Sequence, residues 1–256
     1  MGFRTLRAVS HGRWLGLCLL GLLGTPLVAC TATPARPPEP PVYTRTVDLS
    51  HVVREDVPYP HGEPPTRLTR DAAGQLIQLT IGARTGSLLR ILVAPGASQT
   101  SLEALSPRDL VLPAVVIDAR DTAQDRPAFT LSPADVLAWE QTHGPIPPGA
   151  LVLLVTGWDL RWGDPDAYMN AGPDGRPRVP GFAPATADLL LNQRRAAGLG
   201  LDAPASPYQP AAGFALWLEN LTNLEQLPTT GATVVIGTLK LQAAQSSPAR
   251  VLALVP

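Results

Sequence analysis

The sequence predicts an α/β domain built around a mixed sheet, and three observations carry that prediction. Short β-branched or wholly apolar runs recur at Ala114 to Ile117, Leu151 to Val155, Val234 to Ile236 and Val251 to Val255. Two longer segments open as helices do, with Ser132 ahead of Pro133 and with Pro184 in the first turn of Ala183 to Arg195. Strand and helix signals alternate over only part of the chain, so a purely parallel sheet is not expected.

The first element in chain order lies ahead of that domain. Arg4, Arg7 and Arg13 give a positive start, followed by an apolar run from Trp14 to Val28. That run is too short to span a bilayer comfortably and leads into small residues, which predicts a secretory signal over residues 1–29. Its end, Leu27-Val28-Ala29-Cys30, is similar to the bacterial lipobox, so Cys30 is the expected lipidation site. Several acyl chains hold firmly because each buried methylene contributes roughly 0.8 kcal/mol. The expected product is an exported lipoprotein of the bacterial cell envelope, with the membrane as its first partner. Residues 30–42 form the expected tether, since five prolines fall between Thr31 and Val42 and make an extended, stiff segment.

Removal of the signal changes the remaining chemistry. Cys18 leaves with it, so Cys30 is the one cysteine left, and neither an internal disulfide nor a cysteine zinc site is expected. The 20 basic residues less those three arginines leave 17 against 21 acidic, a net charge near −4. Such a balance argues against a nucleic-acid partner.

Residues 43–256 are enough for one domain with a sizeable core. Thr46 to Leu49 reads as a first strand, followed by a proline-rich loop through Pro65. Gln75 to Ile81 mixes polar and apolar residues as a strand with one buried face does. Leu88 to Val93 is nearly all apolar but interrupted by Arg90. Ser132 caps a helix that is expected to continue through Glu140. The second helix is expected over Ala183 to Arg195, and the late strands close the domain.

Several blocks together resemble the cyclase family that includes bacterial kynurenine formamidase. Asp48-Leu49-Ser50-His51 with Val57-Pro58-Tyr59-Pro60 is similar to its amino-terminal signature. Pro113 to Asp118, Thr156-Gly157-Trp158, Trp162-Gly163-Asp164-Pro165 with Tyr168, and Pro180-Gly181-Phe182 follow in the family's order. The most specific block is Glu219-Asn220-Leu221-Thr222-Asn223-Leu224 with Leu227-Pro228. The resemblance implies a swivelling β/β/α-type cyclase fold, α/β in class with a mixed sheet, assembled as a homo-oligomer. It also implies metal-assisted hydrolysis of an amide, ester or lactone, with zinc or manganese as cofactor and N-formylkynurenine as the formamidase substrate.

The family's ligand segment, His-x-Gly-Thr-His-x-Asp-x-Pro-x-His, aligns with Arg84 to Ala94. Arg84, Leu88, Arg90, Leu92 and Ala94 then occupy the five positions where the family has histidine, histidine, aspartate, proline and histidine. Only the turn keeps its character, in Gly86 and Ser87. Neither hydrocarbon nor protonated guanidinium donates a lone pair to a cation. A later family histidine has no counterpart, because no histidine follows His143. Of the implied metal shell only Glu219 remains, so no metal cofactor is expected. The expected product is a non-catalytic binding or structural member. The alternatives are an active hydrolase with unrecognised ligands and a tethered interaction module.

The candidate binding residues are therefore Arg84, Ser87, Arg90 and Glu219. Even spacing places Arg84 and Arg90 on one face if the segment is extended, with Glu219 as their natural partner. Such a cluster is either a structural ion pair that plugs the cleft or a site for a small anionic ligand. His61 reads as a surface residue between prolines, His51 as structural, and His143 as part of a helix end. Asp202 reads as a turn or cap residue, and Trp158, Trp162 and Trp217 as core or pocket wall. Asn220-Leu221-Thr222 fits a glycosylation pattern that a bacterial protein leaves unused.

Overall fold

The computed structural model describes residues 42–124, 126–204 and 208–256. The predicted signal, Cys30 and all but the last residue of the tether lie outside them. Twelve strands and four α-helices follow in the order β1 (Arg45–Asp48), β2 (Arg67–Arg70), β3 (Leu76–Thr80), β4 (Leu88–Val93), β5 (Val111–Asp118), α1 (Arg120–Ala123), β6 (Thr130–Leu131) and α2 (Pro133–His143). They continue with β7 (Leu151–Val155), α3 (Pro165–Met169), β8 (Gly181–Phe182), α4 (Pro184–Asp188), β9 (Gly198–Leu201), β10 (Phe214–Glu219), β11 (Thr230–Thr238) and β12 (Ser246–Val255).

Eight of these strands form one mixed sheet in the order β1-β12-β11-β5-β7-β9-β10-β4, and β12 also pairs with β4. That second pairing closes the sheet into a barrel and leaves β1 attached to β12 alone. β5, β7, β9 and β10 run parallel to one another, while β11, β12 and β4 join antiparallel. Alternation along the parallel strands divides the core. Ala114, Val116, Leu151, Leu153, Leu216 and Leu218 belong to one apolar cluster, which also holds residues of β1, β4, β11 and β12. Val115, Ile117, Val152, Leu154, Leu199 and Trp217 face the other way, against Val136 of α2 and Ala187 of α4. A strand covered on both faces needs no polar residue, which is why β7 is an unbroken apolar run.

Glycine is required in β9. A Cβ at Gly198 would lie 2.6 Å from the Leu216 carbonyl oxygen, and one at Gly200 would lie 2.7 Å from Leu153 Cδ2. Close packing between β7 and β10 thus selects the Gly-Leu-Gly-Leu pattern. In β11, register slips between Thr230 and Thr233, where Gly231 takes φ +96°. That is the backbone of a β-bulge, which bends the strand as barrel closure demands.

α2 has the predicted start, with Ser132 and Asp135 in a reciprocal capping box. It continues through Glu140 to His143, and stops at Gly144, whose φ of +86° breaks the helix. The second predicted helix is shorter and mixed: α4 passes into a π-helical turn over Leu189–Gln193, and Arg195 at φ +56° turns the chain toward β9. The half-buried strand expected near Gln75 to Ile81 is corrected. β3 pairs only with β2, in a ribbon apart from the main sheet, and all five of its residues are exposed. Leu76 and Ile77 are adjacent, so they point to opposite faces. No alternation in so short a run could reveal that no sheet lies beneath it. Among the described residues, no helix is long and apolar enough to cross a membrane.

Candidate functional site

The carboxyl ends of the parallel strands are the first place to look, because side chains just beyond them line a common edge. β7 ends before Thr156 and Gly157, β9 before Asp202, and β10 at Glu219 followed by Asn220. β4 lies antiparallel to β10 with Leu88 opposite Glu219, which brings the turn containing Gly86 and Ser87 to the same edge.

Asp202 organises the turn after β7. Its carboxylate accepts hydrogen bonds from Thr156 N at 2.7 Å, Thr156 Oγ1 at 2.6 Å and Gly157 N at 2.7 Å. It is 1% exposed, and burial outweighs those donors to push its pKa up to about 6. The turn role predicted for Asp202 is what the bonds show. Neighbouring Asn220 adopts φ +55°, donates from Nδ2 to the Gly86 carbonyl at 2.7 Å, and accepts from the Tyr168 hydroxyl at 3.0 Å. Tyr168 is fully buried, which holds its phenol well above the ordinary range.

Ser87 completes this frame. Its hydroxyl donates to the Asn220 carbonyl at 2.6 Å and accepts from the His51 backbone N–H at 2.9 Å. The oxygen is engaged in both directions, so the side chain fixes the turn and is not poised as a nucleophile. The His51 imidazole stacks on Trp162 with centroids 4.0 Å apart and planes 6° apart. Burial lowers its pKa to about 4, against a hydrogen bond to the Leu221 backbone, so the ring is neutral at pH 7. Its Nε2 is buried and, among the described residues, has no partner.

Arg90 donates from Nη1 to Glu219 Oε1 at 2.7 Å, and Glu219 is nearly buried with its side chain 8% exposed. The expected pairing of both arginines with this carboxylate holds for Arg90 alone. Arg84 instead donates to Glu63 Oε1 at 2.8 Å. The reason is local backbone: Arg84 lies in a turn with Gly86 at φ +77°, ahead of β4, and period-two facing applies only where the chain is extended. Glu63 is 21 residues away in a loop, and no spacing rule could have named it.

Leu88, Leu92 and Ala94 are buried. The four positions that the resemblance assigns to metal ligands therefore hold two guanidinium groups, Arg84 and Arg90, and two hydrocarbons, Leu88 and Ala94, and the Glu219 carboxylate is already paired. Among the described residues, no group of three or more histidine, cysteine, aspartate or glutamate side chains is placed to hold a metal. A catalytic divalent ion needs about three protein donors, and this set does not fit one. His61 is exposed, and His143 closes α2, with Nδ1 3.0 Å from the Trp139 carbonyl. Trp158, Trp162 and Trp217 are all buried, as predicted. Sequence reasoning missed the roles of Tyr168 and Asn220; the signal was their presence in two family blocks, which named them without saying that they touch.

Comparison with known proteins agrees with this architecture. The cyclase family model matches residues 47–206. Isatin hydrolase of Roseibium aggregatum is 34% identical over 167 residues, an alignment that spans 60% of this chain and 63% of the relative's length. The structure of isatin hydrolase A from Ralstonia solanacearum superposes with a TM-score of 0.72 at 28% identity, covering 83% of this chain and 92% of the other. A more distant structure, described as a "potential metal-dependent hydrolase with cyclase activity", shares the fold at a TM-score of 0.58 and 20% identity, with 82% and 96% covered. With its closed mixed sheet and a family match over most of the folded domain, the chain belongs to the cyclase family.

Proposed function

We propose that this protein is a non-catalytic member of the cyclase family, a binding or structural lipoprotein held at the cell envelope through Cys30 and assembled with further copies of itself. One observation carries the reading: the Arg90 guanidinium lies 2.7 Å from Glu219, where the family alignment calls for a metal ligand beside that carboxylate. A buried carboxylate needs a counter-charge, and a covalently attached cation supplies one without an open coordination position. A guanidinium offers no exchangeable site for water, so it cannot generate the hydroxide that metal-assisted hydrolysis uses. Ser87 does not substitute as a nucleophile, because its proton is committed to the Asn220 carbonyl.

The competing reading is an active hydrolase of amide, ester or lactone bonds, favoured by the 34% identity to isatin hydrolase. Protein extracted with detergent from the membrane fraction tests both. Elemental analysis should find no stoichiometric zinc or manganese, and isatin and N-formylkynurenine should be hydrolysed no faster than in buffer. Stoichiometric metal together with turnover that a chelator removes would establish the hydrolase instead.

A further inference from the structure

The chain's arginine–carboxylate pairs are not built alike. Arg120 with Asp118, Arg194 with Glu140 and Arg250 with Asp48 each engage both carboxylate oxygens through two guanidinium nitrogens. Arg90 makes one bond, from Nη1 to Glu219 Oε1. Guanidinium carries five N–H donors, so the rest of its fork has no protein acceptor among the described residues. Its side chain is 29% exposed, so those remaining donors are open to solvent and to a ligand.

That fork opens on a cavity. Arg90, Val93, Tyr208, Pro210 and Gln245 line a space of about 420 Å³ beside β4, within the size range of small-molecule sites. Tyr208 is held in place: its hydroxyl donates to Asp188 Oδ1 at 2.8 Å, and its ring stacks on Trp217 at 5.5 Å with planes 23° apart. A tethered aromatic ring gives the cavity a flat apolar wall at little entropic cost. Trp217, opposite Arg90 in the β4–β10 register, has a buried indole N–H with no partner among the described residues. The Arg90 cation and the Tyr208 ring thus line one cavity.

We infer that this cavity binds a small aromatic carboxylate, with the ligand's carboxylate on the unused edge of Arg90 and its ring against Tyr208. Arg90 then bridges two carboxylates, Glu219 on one edge and the ligand on the other, as a planar fork permits. The inference rests on the non-catalytic reading, since it needs Arg90 rather than a metal beside Glu219. The ring requirement follows from Tyr208, and the anion requirement from a guanidinium that Glu219 has only half used.

Isothermal titration of the purified full chain with benzoate tests this, with benzamide, acetate and inorganic phosphate as controls. Benzoate should bind, and neutral benzamide and ring-less acetate should each bind at least tenfold more weakly. Arg90→Gln and, separately, Tyr208→Ala should weaken benzoate at least tenfold; the second leaves the ion pair intact and so serves even if the first misfolds. No benzoate binding, equal binding of benzamide, or displacement of benzoate by equimolar phosphate would overturn the site. Absent benzoate binding in metal-free, inactive protein would sink the site and spare the non-catalytic reading. Metal-dependent turnover alongside intact, Arg90-dependent benzoate binding would sink that reading and spare the site.

Discussion

Arg84 and Arg90 stand six residues apart in one short segment, at two positions where the family alignment expects metal ligands, yet they do different work. Arg90 is on β4, inside the register that faces it toward Trp217 and Glu219. Arg84 is in the preceding turn, half-exposed, and answers a loop glutamate. The difference teaches that side-chain identity decides whether a position can hold a metal, while backbone conformation decides what replaces it. A strand offers a fixed neighbour across the sheet, and a turn offers whatever loop folds over it.

The comparison breaks or sharpens through mutation. The largest effect is expected for Arg90→Ala, which leaves the nearly buried Glu219 carboxylate without a counter-charge. Loss of about 3 kcal/mol is expected in urea unfolding, since orphaning one partner of a buried pair is the costly step. Removing both partners, as Arg90→Leu with Glu219→Leu, should return stability to within about 1 kcal/mol of the wild type. A double variant as unstable as Arg90→Ala would mean that the loss comes from packing rather than from the stranded charge. Arg84→Ala, by contrast, should cost less than Arg90→Ala, about 1 kcal/mol, because Arg84 is 42% exposed and Glu63 keeps more contact with water, at 15%, than Glu219 at 8%. Equal losses for the two arginines would erase the distinction between strand and turn.

A change in pH dependence separates the ion pair from the frame around it. His51 has a pKa lowered from 6.5 to about 4, so the unfolded chain binds a proton that the folded one refuses. Its contribution is fully present above pH 6.5 and is lost as pH falls toward 4. Asp202 acts in the opposite sense. Its pKa is raised from 3.8 to about 6, so its contribution is present below 3.8 and lost as pH rises through 6. His51→Phe keeps a ring against Trp162 and should flatten the acid loss of stability between pH 6.5 and 4, relative to the wild type. Parallel pH–stability curves for the two proteins would show that His51 is not the buried neutral base described.

Much of the fold was legible in the residues. The runs at β5, β7, β11 and β12 are too apolar and β-branched to be loops, and the Ser132-Pro133 start of α2 is a local device that needs no tertiary context. The exposed ribbon of β2 and β3 was misread as half-buried, because five residues of mixed polarity say nothing about what lies beneath them. Within the site, the Arg90 and Glu219 contact could be anticipated from the family alignment and strand parity. The Arg84 and Glu63 contact could not, since it depends on how a loop returns. Barrel closure was likewise invisible, because it rests on Ser246–Pro248 meeting Arg90–Leu88 across some 160 residues of chain.

By itself the sequence determined which side chains stand between Arg84 and Ala94, and that arginine, leucine and alanine there carry no lone pair for a metal. It did so because donor chemistry belongs to the side chain and travels with it. Only the tertiary structure decided which cation faces Glu219, how much of its fork is left unused, and what cavity that edge meets. Those depend on register, turn conformation and closure between strands far apart in the chain, and no local pattern encodes a distance between them.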